Sequence, residues 1–125
     1  MPIVGEEPHA TVGTSPQSWN QLFAGVTRSP TLQRIMRVAF GADEPYGAEP
    51  FSFVTRAELE HITRGLAVGP GDVCVDLGCG RGGPALWVAR TTGAHLLGVD
   101  VSSVAVGQAT ARARVLHLDD RAAFH

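Results

Sequence analysis

Cysteine is scarce: the 125-residue chain has two, Cys74 and Cys79. They are too few and wrongly spaced for a zinc site, and they do not make the disulfide scaffold of a small secreted domain. A basic excess is also missing. The formal net charge of −2 gives no electrostatic footprint for nucleic acid. No apolar run approaches the roughly 20 residues needed to span a bilayer. The start, Met1-Pro-Ile-Val-Gly-Glu-Glu, lacks the basic segment and long apolar stretch of a signal peptide. Internal repeats and low-complexity tracts are absent. These absences predict a cytoplasmic protein with no metal, no nucleic-acid partner and no membrane partner. The hydrophobic fraction of 44% and charged fraction of 18% are ordinary for a globular chain. The length allows one domain with a modest core.

Three regions are expected. Residues 1–14, rich in Gly, Pro, Glu and Thr, read as a loose tail. Residues 15–68 read as a helical cap or lid. Ser15-Pro16 opens a helix whose apolar members are Trp19, Leu22, Phe23 and Val26. Ser29-Pro30 opens a second, marked by Leu32, Ile35, Met36, Ala39 and Phe40 and closed by Gly41. Asp43 to Pro50 is a loop, and Phe51 to Val54 a short apolar segment. Thr55-Arg-Ala-Glu58 matches a capping box, before a helix with a buried stripe of Leu59, Ile62 and Leu66.

After the turn Gly69-Pro-Gly71 the pattern changes to strand and helix in alternation. Val73 to Leu77 is short, apolar and β-branched, as in a buried parallel strand. Pro84 suits the first turn of a helix that Thr91-Thr-Gly93 ends. His95 to Val99 is a second strand, Ser102 or Ser103 caps a helix reaching about Leu116, and Arg121 to His125 begins a third strand. The alternation predicts an open α/β sheet over residues 69–125.

The chemistry sits in Asp72-Val-Cys-Val-Asp-Leu-Gly-Cys-Gly-Arg-Gly-Gly83, followed by Leu96-Leu-Gly-Val-Asp100. A glycine loop at the carboxyl end of a parallel strand lets the backbone approach a nucleotide-like ligand. Two ligands compete. Gly78, Gly80 and Gly83 satisfy G-x-G-x-x-G, which suits NAD or FAD with a pyrophosphate over the helix N-terminus. Asp76, Gly78, Gly80 and Gly82 form D-x-G-x-G-x-G, which suits S-adenosylmethionine. Asp76 favours the second. A carboxylate repels a pyrophosphate but complements a sulfonium and an α-ammonium. Arg81 would suit phosphate; flanked by glycines in a loop, it reads as a solvated side chain.

The same residues, Val73 to Gly83 and then Leu96-Leu-Gly-Val-Asp-Val-Ser102, resemble motif I and the following acidic motif of class I S-adenosylmethionine-dependent methyltransferases. The likeness is strongest to bacterial small-molecule enzymes with a helical N-terminal cap, and it covers about residues 51–125. It implies a Rossmann-like α/β fold of which this chain is the N-terminal half, S-adenosylmethionine as cofactor, and a small-molecule methyl acceptor. It also implies roles. Asp76 holds the methionine end. Gly78, Cys79 and Gly80 lie against methionine and ribose by their backbones, and Gly82 permits the close turn. Asp100 accepts from the ribose hydroxyls, and Val101 packs on adenine. The simpler reading of Asp100 is a strand-end carboxylate or a helix cap.

Other residues point less sharply. Trp19, Phe23, Met36, Phe40, Tyr46, Phe51 and Phe53 could line an acceptor site, although helical spacing makes the helix members ordinary core residues. His9, His61, His95, His117 and His125 are scattered and read as solvated, so no catalytic residue is assigned. The family's sheet has about seven strands, whereas this chain supplies two and the start of a third. The expectation is a fragment of a longer enzyme, or a sheet completed by a dimer partner or a second chain. The alternatives are an NAD- or FAD-binding oxidoreductase half-domain, and a non-catalytic α/β module that pairs with another chain.

Overall fold

The computed structural model describes residues 14–40 and 54–125. The expected tail over 1–13, the helix stop at Gly41, the loop at 43–50, Tyr46, Phe51 and Phe53 lie outside the described residues.

Helix α1 spans Pro16–Arg28. The Ser15 hydroxyl accepts from the Ser18 N–H at 3.2 Å and Pro16 occupies the first turn, as the Ser-Pro pair requires. Helix α2, Pro30–Phe40, repeats the device, with the Ser29 hydroxyl accepting from the Leu32 N–H. Phe23, Val26 and Met36 are buried; Leu22 and Ile35 are exposed, so both apolar stripes are narrower than their periodicity suggests. Helix α3, Arg56–Leu66, carries the complete capping box: Thr55 Oγ1 accepts from the Glu58 N–H, and Glu58 Oε2 accepts from the Thr55 N–H at 2.8 Å.

Strands β1 (Val73–Leu77), β2 (His95–Val99) and β3 (Ala122–Phe124) form a parallel sheet in that order. Val73 pairs with His95 and Leu77 with Val99; Leu96 pairs with Ala122 and Gly98 with Phe124. Helix α4 (Gly83–Thr92) joins β1 to β2, and α5 (Ser103–Val115) joins β2 to β3. This is the connection that parallel neighbours need. One core joins Leu86 and Ala89 of α4, Leu96 of β2, Ala109 and Ala113 of α5, Leu118 and Phe124. The alanines of α5 recur every four residues and let it sit close to its neighbours. A second cluster packs Leu59 of α3 on Trp87 and Val88 of α4.

Two expectations need correction. β1 is not buried on both faces: Val73, Val75 and Leu77 are exposed. Helices α4 and α5 serve one face, and among the described residues β1 is the edge of the sheet. For the same reason Ile62 and Leu66 of α3 are open to solvent. They border an apolar groove along Val73 and Val75 that no described element fills.

Candidate functional site

The loop after β1 is tied to the end of β2. The N–H groups of Gly78 and Cys79 both donate to the carbonyl of Val99, at 2.8 and 3.0 Å. Gly78, Gly80 and Gly82 adopt φ of +75°, +52° and +73°, a region that side-chain-bearing residues seldom enter. These angles turn the chain at the carboxyl ends of two parallel strands, where open α/β sheets receive ligands.

Asp76 and Asp100 line the same cleft beside this loop. Asp76 is the penultimate residue of β1, and Asp100 directly follows β2. Burial pushes the Asp76 carboxyl above its ordinary range, and the nearby Asp100 pushes it further the same way. Asp100 is anchored by backbone. Its Oδ2 accepts from the Gly80 N–H at 2.7 Å and its Oδ1 from the Ser102 N–H at 2.8 Å. A carboxylate has about four acceptor positions, so these two bonds leave capacity for a ligand. Cys79 is buried beside the pair; burial first, then Asp100 and Asp76, raise its thiol to about 11.

The cleft has a volume of about 740 Å³. Of the seven residues predicted from sequence, Asp76, Gly78, Cys79, Gly80, Asp100 and Val101 line it. Gly82 does not. It forms the N-cap of α4, and a β-carbon built on it would stand 3.0 Å from the Phe124 ring and 3.2 Å from Ala109. Its place is in the packing beneath the loop. Arg81, expected as a solvated side chain, is half-buried, and its carbonyl accepts from Arg112 Nη1 of α5 at 2.8 Å.

Helix α1 supplies the wall opposite the glycines. Trp19 and Phe23, with ring centres 6.4 Å apart, both line the cleft. A β-carbon on Gly80 would lie 3.3 Å from the Phe23 ring. Trp19 and Phe23, which helical spacing alone makes ordinary core residues, thus line the cleft, whereas Met36 is not among the lining residues. Among the described residues, no histidine lines the cleft and no cluster of side chains suits a metal ion. No described helix is long and apolar enough to cross a membrane.

The sequence reading missed Asn20. Its Oδ1 accepts from Ser102 Oγ at 2.7 Å and from the Val104 N–H at 3.2 Å, across more than eighty residues. An asparagine within a helix carries no local signal of such a bond.

Residues 74–125 match a family model described as a methyltransferase domain. The chain is 36% identical over 81 residues to the methyltransferase GfsG of Streptomyces halstedii, a match covering 65% of this chain and 29% of that protein. It also superposes on a S-adenosylmethionine-dependent methyltransferase of Geobacter sulfurreducens solved with S-adenosyl-L-homocysteine. There the TM-score is 0.54 and the identity 29%, over 78% of this chain and 36% of that one. These likenesses support a class I S-adenosylmethionine-dependent methyltransferase. The chain is also similar to geranyl diphosphate C-methyltransferase of Streptomyces coelicolor A3(2), solved with Mg²⁺, geranyl diphosphate and S-adenosyl-L-homocysteine. It matches at TM-score 0.52 and 36% identity, over 55% of this chain and 26% of the solved one. The chain spans less than a third of the length of the curated relatives it matches. Its three-stranded sheet is the corresponding part of the Rossmann-like fold.

Proposed function

We propose that this chain binds S-adenosylmethionine in the cleft between α1 and the glycine loop, as the cofactor-binding N-terminal part of a methyltransferase acting on a small molecule. One observation carries the reading. Two carboxylates, Asp76 and Asp100, stand at the ends of adjacent parallel strands and face one cleft. Burial and mutual repulsion penalise the charge on Asp76, and a cationic ligand relieves that penalty, whereas a pyrophosphate would add to it.

The residues fit the ligand. Asp76 holds the cationic methionine end. Gly78, Cys79 and Gly80 offer backbone at close approach. Asp100, fixed by the Gly80 and Ser102 N–H groups, accepts from the ribose hydroxyls. Val101, exposed at the cleft's rim, packs on adenine. Bound there, S-adenosylmethionine brings an electrophilic methyl group on a sulfonium. The chain's own contribution is orientation: a fixed floor and an aromatic wall hold donor and acceptor in line. Helix α1 acts as part of a cap and faces the acceptor side. The prenyl diphosphate bound by the Streptomyces coelicolor relative supports an acceptor of small-molecule size.

Calorimetric titration of the full chain with S-adenosylmethionine, S-adenosyl-L-homocysteine and NAD tests the proposal. Uptake of the first two and not of NAD is expected. Tight NAD binding without response to S-adenosylmethionine would remove the reading.

A further inference from the structure

We propose that Asn20 is a positioning residue for the cofactor, holding the ribose-binding turn Asp100-Val101-Ser102 and the aromatic wall of α1 in one fixed relation. The inference rests on reading the cleft as the S-adenosylmethionine site and goes beyond it, because Asn20 is not among the residues lining the cleft.

The argument begins at Ser102. It is fully buried and is the N-cap of α5, its hydroxyl oxygen accepting from the Ala105 N–H at 3.1 Å. A buried hydroxyl also needs an acceptor for its proton. Asn20 Oδ1 supplies it at 2.7 Å. The same oxygen accepts from the Val104 N–H at 3.2 Å and stands 3.5 Å from Ser103 Oγ; Asn20 Nδ2 donates to Ser103 Oγ at 3.3 Å. Val104 N–H can only donate, which fixes the amide with its oxygen toward α5. Asn20 thus satisfies one of the unpaired N–H groups at the start of α5 from a different helix.

The bond reaches the ligand site at both ends. On one side the Ser102 N–H donates to Asp100 Oδ1, so the residue that Asn20 grips also aims the carboxylate assigned to ribose. On the other side Asn20 lies on α1 between Trp19 and Phe23, and Phe23 rests against Gly80. A shift of α1 would move the wall and release the turn together.

The test compares the full chain with Asn20→Ala and Asn20→Asp, each alone and combined with Asp100→Ala, by calorimetric titration with S-adenosyl-L-homocysteine. Asn20→Ala is expected to weaken binding about fivefold to twentyfold, and Asn20→Asp, which keeps the accepting oxygen, to stay within about twofold. With Asp100 already replaced, the loss from Asn20→Ala is expected to shrink below about twofold, because the two residues act through one turn. Asn20→Leu, close in size but without the accepting oxygen, is expected to weaken binding in the same direction and decides the matter if Asn20→Ala does not fold; wild-type affinity there would also overturn the inference. Wild-type affinity in Asn20→Ala, equal losses in the Asn20→Ala and Asn20→Asp chains, or an undiminished loss in the Asp100→Ala background would overturn the inference while leaving the cofactor assignment intact. A wild-type chain that takes up no S-adenosyl-L-homocysteine would overturn both.

Discussion

The Gly80 N–H donates to Asp100 Oδ2 at 2.7 Å. This bond fastens the glycine loop to the turn after β2, so Asp100 shapes the site in addition to the ribose role proposed for it. Asp100→Ala is therefore expected to act twice. It should weaken S-adenosyl-L-homocysteine binding by about 1–3 kcal/mol, as for lost hydrogen bonds to a charged acceptor. It should also lower the thermal midpoint of the ligand-free chain. Titration calorimetry and thermal unfolding read the two effects; unchanged affinity would remove Asp100 from the ribose role.

Binding of the cationic cofactor should fall with acidity. The Asp76 carboxyl is raised by burial and by Asp100, so it protonates at a higher pH than an ordinary aspartate. Its charge, and with it the attraction for a sulfonium, is present above the raised value and lost as pH falls through it. For stability the sign is opposite: the penalty of holding this buried charge applies above the raised value and is relieved below it. Affinity for S-adenosylmethionine measured across the acid range should drop in the wild type. Asn at position 76 (Asp76→Asn) should give a weaker, flatter profile.

Cys79 should be a poor nucleophile. Burial and the two neighbouring carboxylates hold its thiol up to about 11, so almost none of it is thiolate near neutrality. Iodoacetamide at about pH 8 should alkylate Cys79 more slowly than it alkylates free glutathione, as followed by peptide mass spectrometry. Cys79→Ser should retain cofactor binding, because the role proposed for the residue is carried by its backbone.

Two glycines should respond in opposite directions to alanine. A β-carbon on Gly98 would stand 2.5 Å from the Phe124 ring and 3.0 Å from Cys79 Cβ, so Gly98→Ala should destabilise by about 1–3 kcal/mol through overpacking. Gly107 lies within α5 with nothing near its missing β-carbon. Gly107→Ala should stabilise by roughly 0.5–1 kcal/mol through helix propensity. Denaturant unfolding of both variants checks the pair.

Much of this was legible in the sequence because the signals were local. Ser-Pro pairs, a Thr-x-x-Glu box and short β-branched runs act over three or four residues, and each produced its element within a residue or two. The glycine loop and Asp100 were legible because their backbone demands narrow the residue choice. What stayed hidden depends on contacts distant in sequence. The exposure of Val73, Val75 and Leu77 follows from what packs on β1, which its own five residues do not encode. Gly82 fits the fingerprint equally well whether it meets a ligand or Phe124. Asn20 looks like any polar helix residue until α5 is brought beside it.

Phe124 has one more consequence. Its ring fills the space left by Gly82 and Gly98, so a late-arriving aromatic props up a loop assembled early in the chain. As the polypeptide leaves the ribosome, that loop emerges well before its prop. Uptake of a nucleoside should then wait until β3 has docked, and Phe124→Ala should impair it while leaving every fingerprint residue in place.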